Sequence, residues 1–311
     1  MKTALVTGGA GFIGCHLCER LLNDGYRVLC MDNLITGSME NIIDFLSHPQ
    51  FTFILFDINE QIYIAEPIDE IYHLASIASP EKYKKYPIKT LLTSLTGTIN
   101  VLELCRIKNA KLLYTSTSEV YGDPLQHPQT EEYYGNVNTV GERSCYDEGK
   151  RVGETLLYEY KKNYNLDVKI VRLFNTYGPK MNIEDGRVVT NFIRSYKNNQ
   201  DITVYGTGNQ TRSFCYIDDT IHGILSMMQS PHFGPINIGN PYNELSINKL
   251  IEIFENITSI KLNVVYLPET ENDPKIRNPD ITKAIELLDW KPLIPLEVGI
   301  QCTLNHFMEK F

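Results

Sequence analysis

Between an apolar, β-branched run at Thr3–Thr7 and an amphipathic stretch of helical length at Gly11–Asn23 lies the segment Thr7-Gly8-Gly9-Ala10-Gly11-Phe12-Ile13-Gly14. Its glycines satisfy both G-x-x-G-x-x-G and G-x-G-x-x-G spacing. Glycines there permit a tight turn and let backbone amides approach a pyrophosphate at the positive end of a helix. Glycines also serve ordinary strand-to-helix turns, so the pattern needs a second signal. Asp32 supplies it: the next apolar run, Arg27–Met31, leads straight into this residue, where a carboxylate can accept hydrogen bonds from both hydroxyls of an adenosine ribose. A carboxylate in that place repels a 2′-phosphate, and Asp32-Asn33-Leu34-Ile35-Thr36 offers no arginine to receive one. The expected cofactor is therefore NAD rather than NADP. Asp57-Ile58 and Leu74-Ala75-Ser76 follow the next two apolar runs and end at the same sheet edge, where ligands of open α/β sheets lie.

The rest of the first half repeats the rhythm. Expected strands are Thr3–Thr7, Arg27–Met31, Phe51–Phe56, Glu70–Leu74, Lys111–Thr115 and Val168–Leu173, and expected helices are Gly11–Asn23, Ile88–Lys108 and Cys145–Tyr164. Strands alternating with helices imply parallel pairing through crossovers. After about residue 175 the loops Tyr177–Gly186 and Tyr205–Arg212 separate shorter helices, clearest at Ile247–Glu255 and Ile281–Leu288. The fold class read from this is α/β: a doubly wound parallel sheet of Rossmann type with a smaller C-terminal substrate-binding domain. Residues 1–175 would form the NAD-binding part, with a return segment near 213–240, and 176–311 mainly the cap.

Charge narrows the partners. With 38 acidic against 29 basic residues the formal charge is −9, and no Lys/Arg run forms a basic stripe, so nucleic acid is not an expected partner. Seven cysteines at irregular positions, with Cys15 and Cys18 inside one expected helix and no second pair, read as reduced thiols and not as a zinc or other metal site. No run is long and apolar enough for a signal peptide or a membrane span. The expectation is a soluble, cytoplasmic protein with no membrane partner.

Tyr146 and Lys150 lie on one face of the expected helix Cys145–Tyr164. A free tyrosine, with a pKa of ~10, is a poor base at neutral pH. A neighbouring ammonium and a positive nicotinamide ring stabilise the phenolate, so the pair can take a proton from a sugar hydroxyl as hydride leaves the same carbon. On an exposed helix the same spacing is surface decoration. Its place behind a dinucleotide fingerprint and a hydroxyl-rich strand end makes it a catalytic candidate. That strand end, Thr115-Ser116-Thr117-Ser118-Glu119-Val120-Tyr121-Gly122, sets a glutamate beside two hydroxyls that could bind a sugar.

This run, with Gly135-Asn136-Val137-Asn138 and Arg143-Ser144-Cys145-Tyr146-Asp147-Glu148-Gly149-Lys150-Arg151, resembles the signature of UDP-glucuronate decarboxylases, a branch of the extended short-chain dehydrogenase/reductases. The resemblance continues through Arg172–Pro179, Asp185–Val189, Tyr205–Arg212 and Arg277–Ile281, so it spans essentially the whole chain. It implies a UDP-sugar substrate and a cycle with no net redox change. Tyr146, supported by Lys150, would deprotonate the 4-hydroxyl as hydride passes to the cofactor, the resulting β-keto acid would lose carbon dioxide, and hydride would return to give UDP-xylose. Thr117 and Ser118 would orient the ketone oxygen, and Glu119 would position the ring or relay a proton. Arg277 would hold the carboxylate or the diphosphate, with Asn175, Tyr205, Gln210 and Arg212 completing the substrate set. Expected at the cofactor are Gly8, Gly11, Phe12, Ile13, Gly14, Asp32, Asn33, Thr36, Gly37, Asp57, Ile58, Leu74, Ala75, Ser76, Thr93, Thr115, Tyr146, Lys150, Thr176 and Arg187. A homodimer paired through the helices Ile88–Lys108 and Cys145–Tyr164 is likewise implied.

Three positions depart from the family pattern: Ile77 and Thr139 stand where proline is usual, and Leu92-Thr93-Ser94 replaces Lys-Thr-Asn, which would remove a cation near the substrate cleft. Two related enzymes compete with this reading. A 4,6-dehydratase carries an aspartate at the position of Ser118, and a 4-epimerase a small residue at that of Glu119. A non-catalytic NAD sensor would need neither Tyr146 nor Lys150.

Overall fold

The computed structural model describes residues 1–268 and 276–309. In chain order the elements are β1 (Thr3–Thr7), α1 (Phe12–Asn23), β2 (Arg27–Asp32), β3 (Phe51–Leu55), β4 (Glu70–His73), α2 (Pro80–Lys85), α3 (Pro87–Leu92), α4 (Thr98–Lys108), β5 (Lys111–Thr117), α5 (Ser144–Tyr164) and β6 (Val168–Leu173). There follow β7 (Thr176–Tyr177), α6 (Val188–Lys197), β8 (Ile202–Tyr205), β9 (Thr211–Ser213), β10 (Cys215–Tyr216), α7 (Ile217–Gln229), β11 (Ile236–Ile238), β12 (Glu244–Ser246), α8 (Ile247–Thr258), β13 (Val264–Leu267), α9 (Thr282–Leu288) and α10 (Leu296–Glu309).

Seven strands form one parallel sheet in the order β3-β2-β1-β4-β5-β6-β11. The chain reverses direction across the sheet between β1 and β4, which opens a crevice at the carboxyl ends of the strands. Alternation within β1 supplies both faces: Ala4 and Val6 join one apolar cluster with α1 and α7, whereas Leu5 joins the other with α4 and α5. The first cluster runs on without a break into Phe192, Ile193, Val204, Leu250, Phe254 and Leu304, so the C-terminal elements share a core with the sheet. Three short two-stranded pairs follow, β7 with β10, β9 with β12 and β8 with β13, and the first-named strand of each puts residues on the wall of the crevice.

The helix expected over Ile88–Lys108 is α3 and α4 joined by one π-helical turn, Thr93–Gly97. Such turns bulge a helix outward and are frequent at functional sites. Here the bulge carries Thr93 into the crevice, while Leu92 stays half-exposed on the outer face. Leu92 itself thus lies outside the lining of the cleft. The strand β11, which closes the sheet beside β6, was too short to show as a periodic run. It lies within the return segment expected near 213–240.

No helix among the described residues is long and apolar enough to cross a membrane. The cap is tied to the sheet by Asp219 of α7, whose buried carboxylate accepts from Leu293 N at 2.9 Å and Ile294 N at 3.0 Å, while its carbonyl accepts from Trp290 Nε1 at 3.0 Å. Removing this buried charged acceptor takes the partner from the Leu293 and Ile294 amides at once. Asp219→Ala is expected to lower stability by about 3 kcal/mol in urea unfolding, and a loss below ~1 kcal/mol would show that the carboxylate does not carry this joint.

Candidate active site

At the carboxyl edge of the sheet lies a cleft of about 740 Å³ that runs from the glycine turn to the cap. Its first end is made by close backbone approach. Gly8 adopts φ +74°, and a Cβ there would meet Ala75 N at 2.8 Å; a Cβ on Gly14 would meet Gly8 O at 2.1 Å. Only glycine lets this turn fold back on the start of α1, whose first amides then face the cleft. The Asp32 carboxylate accepts from Ala10 N at 3.1 Å and Leu34 N at 2.8 Å, and a Cβ on Gly37 would come within 2.9 Å of it. Burial pushes this carboxyl upward, with the Leu34, Ala10 and Asn33 amides opposing.

These features fit a dinucleotide: an amide-lined turn for a pyrophosphate, and a fixed carboxylate at the ribose position. Gly8, Gly11, Phe12, Ile13, Gly14, Asp32, Asn33, Thr36, Gly37, Ile58, Leu74, Ala75, Ser76, Thr93, Thr115, Thr176 and Arg187 all line the cleft. Ser76 Oγ is buried without a hydrogen-bond partner among the described residues, as a ligand contact would be. Asp57 stands just behind the lining of the cleft: its carboxylate pairs with Lys89 Nζ at 2.9 Å, caps Asn59 N at 3.1 Å and meets the side chain of Asn33, which does line it. The Thr176 hydroxyl is committed to Phe174 O and Thr220 Oγ1, both at 3.0 Å. Arg187 precedes α6 and braces the wall through Asp185 at 3.2 Å and Ala78 O at 3.3 Å.

The second end is made of buried charge. In α5 the residues Tyr146, Lys150, Gly153 and Leu157 fall on one buried stripe, which aims the first two at the cleft. Lys150 Nζ donates to Thr115 O at 2.8 Å and lies 4.8 Å from the centre of the Tyr114 ring. Burial acts on both groups toward their neutral forms. It pushes the Tyr146 phenol up to about 12, with the Thr117 hydroxyl opposing, and brings the Lys150 ammonium down to about 7, with Glu154 opposing. Tyr83 of α2 stacks on Tyr146 with ring centres 5.4 Å apart and planes 6° from parallel. Ile77 packs with both rings, so this departure from proline sits against the catalytic candidate.

β5 ends in Thr117, whose hydroxyl accepts from Glu119 N at 3.3 Å and turns the chain so that Ser118 and Glu119 enter the cleft. Glu119 is clamped by two guanidiniums, Arg143 at the approach to α5 and Arg277 from the C-terminal segment. Burial raises this carboxyl, but Arg277 and Arg143 outweigh burial and hold it below the usual carboxylate range. Arg277 is 3% exposed and also donates to Gly122 O at 3.3 Å. Asn175, Tyr205, Gln210 and Arg212 line the cap side, with Gln210 Nε2 bonded to Tyr205 O at 2.7 Å and Arg212 Nη1 to Thr211 O at 2.8 Å.

Arg143 and Asp147, which have no assigned role within the family-like run, and Tyr83, which lies outside it, gather around Glu119 and Tyr146. An available signal was helical spacing, since Arg143, Tyr146, Asp147 and Lys150 recur at three- and four-residue intervals.

The NAD dependent epimerase/dehydratase family model matches residues 4–239. The chain is 48% identical over 306 residues to UDP-glucuronic acid decarboxylase 2 of Arabidopsis thaliana, covering 98% of this chain and 68% of that one. To UDP-glucuronic acid decarboxylase 1 of Danio rerio it is 46% identical, covering 98% and 72%. Among solved structures, UDP-glucuronic acid 4-epimerase from Bacillus cereus, in complex with UDP-glucuronic acid and NAD, matches with a TM-score of 0.88 at 30% identity over 99% of this chain and 100% of that one.

From the Asp32 geometry, Asp32→Ala is expected to weaken NAD binding by roughly 10- to 100-fold, the loss of one or two charge-assisted hydrogen bonds, in a fluorescence titration. The unaltered protein should prefer NAD to NADP. Equal or tighter NADP binding would overturn the assignment of this carboxylate to the ribose.

Proposed function

The chain belongs to the NAD dependent epimerase/dehydratase family, and from that premise we propose that it decarboxylates UDP-glucuronate to UDP-xylose. The observation that carries this reading is the charge at the reacting end of the cleft. The buried Arg277 and the half-buried Arg143 converge on Glu119 beside Tyr146, a concentration of guanidinium that suits an anionic sugar better than a neutral hexose. The identity to decarboxylases over nearly the whole chain supports it.

NAD, when bound, supplies a hydride acceptor and donor at carbon 4 of the sugar and a positive ring beside the phenol. In this reading Tyr146 Oη takes the proton of the 4-hydroxyl and later returns it. Lys150, held by Thr115 O, keeps positive charge behind the ring. Thr117, placed beside Tyr146 by the turn at the end of β5, and Ser118 orient the oxygen at carbon 4. Arg277 and Arg143 share their charge between Glu119 and the sugar's carboxylate, and Glu119 holds the ring. Asn175, Tyr205, Gln210 and Arg212 grip the UDP portion from the cap. A cytoplasmic setting is supported by seven cysteines that are all free.

The test is incubation of the NAD-loaded protein with UDP-glucuronate carrying deuterium at carbon 4, followed by NMR. Label retained at carbon 4 of UDP-xylose, with one solvent deuterium gained at carbon 5 in heavy water, is the expected result. Tyr146→Phe should cut turnover by 10²-fold or more, roughly the worth of a general base, with NAD binding unchanged. A galacturonate product would make the chain a 4-epimerase, and unchanged UDP-glucuronate would sink the reading.

A homodimer is part of the same proposal. Ile88, Leu91, Leu92 and Leu95 recur at helical spacing and form an exposed apolar row on α3 and the π turn, and α5, which packs against α3, exposes Tyr158. Such a row on helices that pack side by side suits self-complementary four-helix pairing about a two-fold axis. Leu91→Glu with Leu92→Glu is expected to give a monomer by light scattering. A monomeric unaltered protein would refute the dimer.

A further inference from the structure

Behind Arg143, away from the cleft, sits a second acid. Asp147 is 7% exposed, its Oδ2 lies 3.9 Å from Arg143 Nε, and its Oδ1 is buried with no hydrogen-bond partner among the described residues. It does not line the cleft. One long ion pair and one stranded oxygen form a poor setting for a full negative charge, and a better one for a protonated acid. Among the described residues, the groups that face it are Glu119 from the turn after β5, Arg277 from the C-terminal segment, and Tyr83 from α2, whose hydroxyl is buried with no hydrogen-bond partner among them. From its own helix come Arg143, Cys145, Tyr146 and Glu148.

Glu119 and Asp147 already set two negative charges against each other at this site, and a substrate carboxylate entering it adds another beside them. The added charge raises the cost of keeping Asp147 ionised, so its protonated form is favoured once that carboxylate is bound.

We propose that Asp147 is a positioning residue that acts through Arg143, taking up a proton when a sugar carboxylate arrives so that the guanidinium remains shared between Glu119 and that carboxylate. The inference rests on the decarboxylase reading. It also matches the stoichiometry of that reaction: the bond from carbon 5 to the carboxylate breaks, carbon dioxide leaves, and the electron pair left behind takes one proton, so each turnover consumes the proton that binding gathered. Burial, followed by Glu119, pushes Asp147 up to about 7 against the pull of Arg143 and Arg277, which leaves it free to change state near neutrality. Uptake is therefore expected above that value, where free protein has an ionised Asp147. It vanishes well below it, where the proton is already present.

The experiment is titration calorimetry of NAD-loaded Tyr146→Phe protein, which binds without turnover, with UDP-glucuronate in two buffers of unlike ionisation enthalpy. More than half a proton should be taken up at about pH 8, and at least threefold less at about pH 6. Adding Asp147→Asn should abolish the difference, Asp147→Glu should keep it, and UDP-glucose should show none. Equal uptake with Asp147→Asn, or with UDP-glucose, would overturn the proposal. Failure of UDP-glucuronate to bind while NAD binds normally would instead bring down the decarboxylase reading and this inference with it. Should Asp147→Asn not fold, the infrared difference spectrum of the Tyr146→Phe protein decides: UDP-glucuronate must raise a protonated carboxyl band, and its absence overturns the assignment.

Discussion

The pairing of Glu119 with Arg143 and Arg277 joins three parts of the chain that share little else. Glu119 belongs to the turn that ends β5, Arg143 to the approach to α5, and Arg277 to a segment that returns from the cap past Gln129, whose amide donates to Asn278 O at 2.9 Å. Burying a carboxylate between two guanidiniums gains little net stability, because the cost of desolvation consumes most of the attraction. Leaving any one member unpaired costs far more, about 3–5 kcal/mol. The arrangement therefore acts as a constraint of position: each of the three segments must arrive for the others to be tolerable. The reacting end of the cleft is assembled by that condition, in a place where apolar packing alone would specify much less.

The two ends of the cleft obey different physics. At the glycine turn, side chains are excluded by backbone spacing, as the approach of Gly8 to Ala75 and of Gly14 to Gly8 requires, and the binding groups are amides. At the other end, function lies in side chains whose charge states are set by burial. Tyr146 and Lys150 are both driven toward neutral forms, with the Thr117 hydroxyl and the Arg187 charge opposing that drive at the phenol and Glu154 opposing it at the ammonium. A pair so buried holds its proton until a positive charge comes beside the phenol. Chemistry at Tyr146 is in this way linked to an occupied dinucleotide end, although the two ends share few residues.

How much of this was legible in the sequence follows from the range of the interactions. β1 and β6 begin and end where the apolar runs do, because a strand buried on both faces writes its length into consecutive residues. The glycine turn and Asp32 were legible for the same reason, being local in the chain. The π turn at Thr93–Gly97 was not, since it keeps the helical apolar pattern and merely adds a residue to one turn. At that turn Thr93 enters the cleft while Leu92, one residue earlier, lies on the outer face. β11, only Ile236–Ile238, carries too few residues to show a period. Asp57 stands at a strand end like its neighbours, but Lys89 lies within reach of its carboxylate, a contact over thirty residues that no local pattern encodes.

The same argument explains why Asp147 escaped notice while Tyr146, one residue earlier, did not. Adjacent residues on a helix point about 100° apart, so one faces the cleft and the other faces the elements packed behind it. A motif advertises the residue that touches substrate, since its chemistry is recognisable from its type. The residue behind is an ordinary aspartate until the fold places Arg143 on one side, Glu119 beyond it, and no hydrogen-bond partner for its second oxygen among the described residues. Its character is made by neighbours from α2, the end of β5 and the C-terminal segment, and none of these can be inferred from the helix alone. Buried charge at a site is thus a tertiary property. The acids that set the electrostatics of a reaction need not be those that the sequence pattern displays.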